Sequence, residues 1–133
     1  MNRTNLTRSL DELEGDQWPE PEVAVTRLVQ EVHRLRSVPI GQMTTEDLRL
    51  LLGQQIGTEW LMPLALECLK RDPLAEGDFY PGDLLVGVLR TEASYWPTHP
   101  EAIQALKRVR LRLLDISDVP DRLVNDVGWP AFD

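Results

Sequence analysis

The chain has 133 residues with 14 basic and 22 acidic side chains, a formal net charge of -8, 42% hydrophobic residues and 27% charged ones. That size and balance suit one folded domain, residues 1–133 with flexible ends at 1–8 and 129–133, and exclude wholesale disorder. The acidic excess argues against direct binding of nucleic acid, whose affinity comes from Lys and Arg displacing counterions, while it favours solubility and encounter with basic partners.

In chain order, residues 9–22 (SLDELEGDQWPEPE) hold six acids and no base, and Pro19 and Pro21 stop any helix begun near Ser9. A short helix followed by an extended acidic arm is expected. Residues 22–37 place Val25, Leu28, Val29, Val32 and Leu35 in a narrow arc at helical spacing, with Arg27, Glu31 and Arg34 opposite. In TTEDLRLLLGQQIG, Thr44 caps a helix and Asp47 returns the bond, so that Leu48, Leu51, Leu52 and Ile56 face the core and Gly57 ends the element. The next helix carries Pro63, which is tolerated in a first turn and therefore sets the start near Glu59 or Trp60.

Residues 80–90 (YPGDLLVGVLR) read as a short buried helix with Pro81 at its first position, a buried strand being the competing reading. Residues 99–116 form a last helix with Ile103, Leu106, Val109, Leu113 and Ile116 inward and Lys107, Arg108 and Arg112 outward. The tail after Val119 adds at most one turn. With no hairpin signal, no two-residue alternation and no repeat, the fold class is all-α, a compact bundle of five to six short helices.

Catalysis needs a nucleophile beside a base, tuned carboxylates or a metal, and little in the sequence answers. His33 and His99 read as surface or helix-boundary residues, and Cys68 as packing on the apolar side of its helix with Leu61 and Leu64. No His or Cys pair has zinc spacing, and GQQIG lacks the Lys and the strand of a phosphate loop. The lone cysteine forbids an internal disulfide, the first residues lack a signal-peptide core, and LLVGVL is too short to cross a bilayer. A cytoplasmic protein without cofactor, metal or membrane attachment is expected.

One loop concentrates the remaining chemistry. Residues 72–83 (DPLAEGDFYPGD) carry four carboxylates, no Lys or Arg, and two adjacent aromatics. Structurally, Asp72 ends one helix, Asp83 at the third position favours the positive end of the next, and Phe79 or Tyr80 plugs the core. Glu76 and Asp78 have no such task. Acids beside an aromatic pair suit a surface for a basic protein, with rings as anchors and charges for steering. The ligand spacing of a calcium loop is missing.

The stretches SLDELEGDQW, TTEDLRLLLGQQIG and LMPLALECLKRDPLAEGDFYPGDLLVGVLR, followed by the aromatic pair Tyr95 and Trp96, together resemble a family of immunity proteins from bacterial contact-dependent growth inhibition systems. The resemblance covers residues 9–90. It implies a non-enzymatic cytoplasmic protein that binds the toxic C-terminal domain delivered by a neighbouring cell and blocks it. Such toxins are often nucleases with basic grooves, so inhibition by occlusion is implied, with plugging of the active site and binding away from it both open; separately from the resemblance, a monomer is the favoured state. The toxin-contacting candidates are Glu76, Asp78, Phe79 and Tyr80, with Asp16, Trp18, Glu20 and Glu22 as a second patch; Trp60, Tyr95 and Trp96 are assigned to the core. The competing functions are an acidic adaptor for an unrelated partner and a metal-dependent enzyme using the 72–83 loop.

Overall fold

Three helices begin where short polar side chains meet the first free amides. The Ser9 hydroxyl accepts from the Glu12 N–H at 3.3 Å while the Glu12 carboxylate accepts from the Ser9 N–H at 3.2 Å, and Thr26 accepts from the Val29 N–H. Thr44 and Asp47 form the reciprocal pair that their spacing predicts, at 3.1 and 3.0 Å. Each such cap stabilises its helix by about 1 kcal/mol.

The computed structural model describes residues 3–21, 25–117, 119, 123, 129 and 130. Among them lie six α-helices: α1 (Leu10–Glu14), α2 (Arg27–Arg36), α3 (Thr45–Gly53), α4 (Thr58–Arg71), α5 (Asp83–Leu89) and α6 (Pro100–Leu114). Three 3-10 turns, Arg3–Thr7, Ile40–Gln42 and Ala93–Thr98, complete the order. The described residues contain no strand, only an isolated bridge between Glu76 and Pro81. The fold is all-α, and the helical reading of α5 prevails over the strand.

Helix α3 packs on α5 and α4, and α4 packs on α6 and α5. Leu51, Leu61, Leu69, Leu84, Leu85, Leu106 and Val109 are fully buried where these four meet; each large apolar side chain so buried stabilises the fold by roughly 2 kcal/mol. The outward Arg112 of α6 still reaches across, donating to the Arg71 carbonyl at 3.1 Å and to that of Lys70. It thereby satisfies the free end of α4, where a cation is favoured. The Arg3–Thr7 turn is tied in as well, because the Ile40 N–H donates to the Arg8 carbonyl.

Four local expectations change. Gly57 does not end α3, which stops at Gly53; it precedes α4 as its cap, so α4 begins at Thr58 and Pro63 falls in the second turn. There the missing N–H costs the Glu59 carbonyl its helix bond, and the buried Leu61, Met62, Ala65, Leu66 and Leu69 keep the helix continuous. Pro81 lies outside α5: Gly82 has φ +91°, a left-handed conformation that breaks the helix before it and makes Asp83 the first helical residue. A Cβ at Gly82 would also meet Leu123 at 2.7 Å, so the buried Leu123 seals this junction. In α2, Val32 and Leu35 are buried as expected, but Leu28 and Val29 are 40% and 46% exposed, since among the described residues no helix covers the first turn. Apart from Val119, Leu123, Trp129 and Pro130, the tail turn lies outside the described residues.

Candidate functional site

The loop between α4 and α5 is organised by two carboxylates that belong to helices. Asp83, 3% exposed, accepts from the N–H groups of Gly77 at 2.6 Å, Phe79 at 3.0 Å and Tyr80 at 3.4 Å. Glu46 of α3 accepts from the Asp78 N–H at 2.8 Å. Four consecutive amides therefore have anionic acceptors, and such charge-assisted bonds are the stronger kind. The Glu76–Pro81 bridge and the bond from the Gly82 N–H to the Leu74 carbonyl close the loop at its base. At Gly77 the backbone runs so close to the Glu46 carboxylate that a Cβ would overlap it.

Arg49 neutralises this anionic pair. Its Nε donates to Glu46 Oε1 at 2.6 Å and lies 4.0 Å from Asp83 Oδ2. Above it sits the Phe79 ring, 4.5 Å from the guanidinium carbon to the ring centroid. The hydrogen bond from Arg49 holds the Glu46 carboxyl below its ordinary range, with the Asp78 N–H adding to the effect against the opposing cost of burial.

What remains outward is the set the sequence singles out. Glu76 and Asp78 are exposed, and neither side chain makes a hydrogen bond or ion pair among the described residues. Phe79 is 67% exposed, so it is not the core plug that the structural reading of the loop allows. Tyr80 is half-buried. Asp72 ends α4 as expected, its Oδ1 accepting from the Leu74 N–H at 3.1 Å.

The acidic arm is built the other way round. Arg36, 1% exposed, donates from Nε to Asp11 Oδ1 at 3.0 Å and from Nη2 to the Asp16 carbonyl at 3.0 Å, and its Nη1 lies 2.7 Å from Glu14 Oε1. The Trp18 ring covers the guanidinium at 4.3 Å. A buried guanidinium with carboxylates and an aromatic face around it is satisfied without water. Asp16 and Glu20 keep exposed carboxylates, while Glu22 lies outside the described residues. Among the described residues no hydrogen bond or ion pair joins this arm to the 76–80 loop, and the two sets of candidates are held by different arginines.

A third feature escaped sequence reasoning. His99 stacks on Tyr95 with ring centroids 3.8 Å apart, its Nδ1 is 2.7 Å from the Tyr95 carbonyl and its Nε2 is 2.8 Å from Glu59 Oε2. Glu59 is 40 residues away in sequence, so only a known packing of α4 against α6 would have paired them. The Tyr95 carbonyl, with help from Glu59 and Glu101, raises the His99 pKa, and burial together with the same two acids pushes the Tyr95 hydroxyl up to about 12. Trp96 is buried, and Trp60 and Tyr95 are half-buried. Among the described residues no cluster of three or more His, Cys, Asp or Glu side chains is placed to hold a metal, and no helix is long and apolar enough to cross a membrane.

A family model described as CDI immunity proteins matches residues 12–119, more than three quarters of the chain. The chain belongs to this family. An immunity protein of this kind neutralises a toxin of its contact-dependent growth inhibition system, so the surfaces above are to be judged as sites for a protein partner. No curated protein and no solved structure matches the chain. The matched span contains the whole 76–80 loop, both of its anchoring carboxylates and all but the first contacts of the Arg36 cluster.

Proposed function

We propose that this immunity protein blocks the C-terminal toxin domain by occlusion, setting the 76–80 loop into a basic groove that would otherwise hold nucleic acid. The toxin on this reading is a nuclease, and the immunity protein acts as a monomer in the cytoplasm, without turnover. The observation that carries the proposal is the use of Asp83 and Glu46 to bind the loop's four amides. With the backbone fixed from below, the Glu76 and Asp78 carboxylates are displayed without hydrogen bonds among the described residues, Phe79 is held over Arg49, and little conformational entropy remains to be lost on binding.

Phe79 supplies the anchor, with Tyr80 beside it, and the two acids supply charge complementarity. A net charge of -8 speeds encounter with a basic partner. The arm contributes a second contact through Asp16, Trp18, Glu20 and Glu22, with Trp18 pre-set by its stacking on Arg36. Non-cognate toxins are rejected where their charges or pockets oppose these side chains.

Coexpression with the toxin domain encoded in the adjoining reading frame tests the reading. Cells making this protein survive, and cells making the Glu76→Lys/Asp78→Lys/Phe79→Ala variant at the same level die. Survival of both would remove the loop from the inhibitory surface, and death of both would remove the pairing with that toxin.

A further inference from the structure

Away from the loop, two hollows flank Tyr95. One, of about 240 Å³, lies between α4 and the start of α6, with Met62, Leu66 and Ala102 in its floor and Glu59, Glu101 and His99 on its walls. The other, of about 250 Å³, is lined by Gln55, Thr58, Thr91, Glu92 and Ser94. Tyr95 lines both, which makes them neighbours on one surface.

Three observations give this surface a partner of definite chemistry. The first is charge: Glu59, Glu92 and Glu101 border it, and the only Lys or Arg in either lining is Lys70, whose ammonium is already 2.9 Å from Glu67. The second is His99. Its Nδ1 lies between the Tyr95 carbonyl at 2.7 Å and the Thr98 hydroxyl at 2.9 Å, and its Nε2 faces the Glu59 carboxylate at 2.8 Å, an acceptor that only an N–H can serve. The ring thus presents an N–H to Glu59 from within the chain, at a place that favours a donor of positive charge. The third is Thr91, 7% exposed, whose hydroxyl oxygen is buried without a hydrogen-bond partner among the described residues. It lines the second hollow while the Gln55 side chain pins the backbone on either side of it, donating to the Arg90 carbonyl and accepting from the Glu92 N–H.

We propose that the hollows flanking Tyr95 form a second docking surface, which takes a basic, extended segment of the toxin with a lysine or arginine side chain seated between Glu59 and Glu101. The aliphatic stem of such a residue covers the Met62, Leu66 and Ala102 floor while its charged end reaches the carboxylates, the division of labour that long cationic side chains favour. The neighbouring part of the segment meets Glu92, over the Thr91 turn that Gln55 pins. This surface rests on the immunity reading, yet it does not depend on the 76–80 loop.

The test is a binding isotherm of the full chain with an inactivated form of the adjoining toxin domain, with thermal melts alongside. The wild type is compared with Glu92→Lys/Glu101→Lys, with Glu59→Gln/Glu101→Gln and with Glu76→Lys/Asp78→Lys. The Glu92 and Glu101 carboxylates make no hydrogen bond among the described residues, so their reversal lowers the melt only slightly, through Glu101 beside His99, and weakens binding by about tenfold or more, mainly through slower association. The Glu59 and Glu101 amides give a smaller loss in the same direction and remain the readout should the lysines lower the melt. Wild-type affinity in both of these, with the Glu76/Asp78 variant weakened, overturns the second surface and leaves the loop reading standing. Wild-type affinity in all three variants overturns both, and no binding by the wild type overturns the immunity pairing on which both rest.

Discussion

The arm and the loop have nearly the same composition, acids beside an aromatic ring, and both rings lie against an arginine: Trp18 over Arg36 and Phe79 over Arg49. They differ in which carboxylates those arginines take. In the arm Arg36 takes the segment's own Asp11 and Glu14, and its burial turns those charges inward. In the loop Arg49 takes Glu46 and approaches Asp83, both supplied by helices, and the loop's own Glu76 and Asp78 are left facing out. An acidic aromatic stretch keeps its own carboxylates outward to the extent that other parts of the fold supply the ones that hold it in place.

The largest effect that follows is at Arg36. Replacing Arg36 by Met leaves Asp11 and Glu14 facing an apolar side chain, and a broken buried ion pair costs about 3 kcal/mol. That figure takes the lower end of the usual range, because both acids keep some water contact. Urea unfolding measures it; a loss under about 1 kcal/mol would show that the arm is not held by this cluster.

Next is Asp83→Ala, which removes the acceptor from three amides at once and costs about 2 kcal/mol. Its distinctive result is in amide exchange: Gly77, Phe79 and Tyr80 lose protection while the amides of α6 keep theirs. Uniform loss across the helices would mean that Asp83 supports the core and not the loop.

A smaller effect is the response to pH, which has opposite signs at Glu46 and at His99. Glu46 has its folded pKa lowered from 4.5, chiefly by Arg49. Its contribution is therefore present above 4.5 and lost as pH falls through the folded value, releasing the Asp78 amide. His99 has its folded pKa raised from 6.5, chiefly by the Tyr95 carbonyl, so its contribution is present below 6.5 and lost as pH rises through the folded value. Unfolding midpoints across pH for Glu46→Gln and His99→Gln, each against the wild type, separate the two, because each variant flattens one limb alone.

The smallest change in stability belongs to Glu76→Lys/Asp78→Lys. Exposed acids without hydrogen bonds contribute under about 0.5 kcal/mol, so the melt nearly holds while association with the toxin slows and loses salt sensitivity. Unfolding by this variant would assign both acids to the fold.

The Thr44–Asp47 cap and the inward face of α6 were legible in the sequence because their partners lie within a turn or two. Glu76 and Asp78 were legible as residues without a structural task, whereas Phe79 reads equally as an anchor or a core plug until its exposure is known. The devices that hold it were not: Asp83 reads as an ordinary first-turn acid until Gly82 is known to be left-handed, and Glu46 meets the Asp78 amide 32 residues away. Arg36 bonds Asp11 across 25 residues, and nothing in its helical register sets it apart from Arg34. Leu28 and Val29 show the converse, since periodicity names an apolar face but does not say whether another element covers it.

Solving the complex with the toxin domain tests the central claim most directly. The account predicts Phe79 enclosed by the toxin, with Glu76 and Asp78 against lysine or arginine side chains, and the amides of 77–80 still bound to Asp83 and Glu46. A complex in which those three side chains face solvent, with inhibition delivered from another surface, would contradict it.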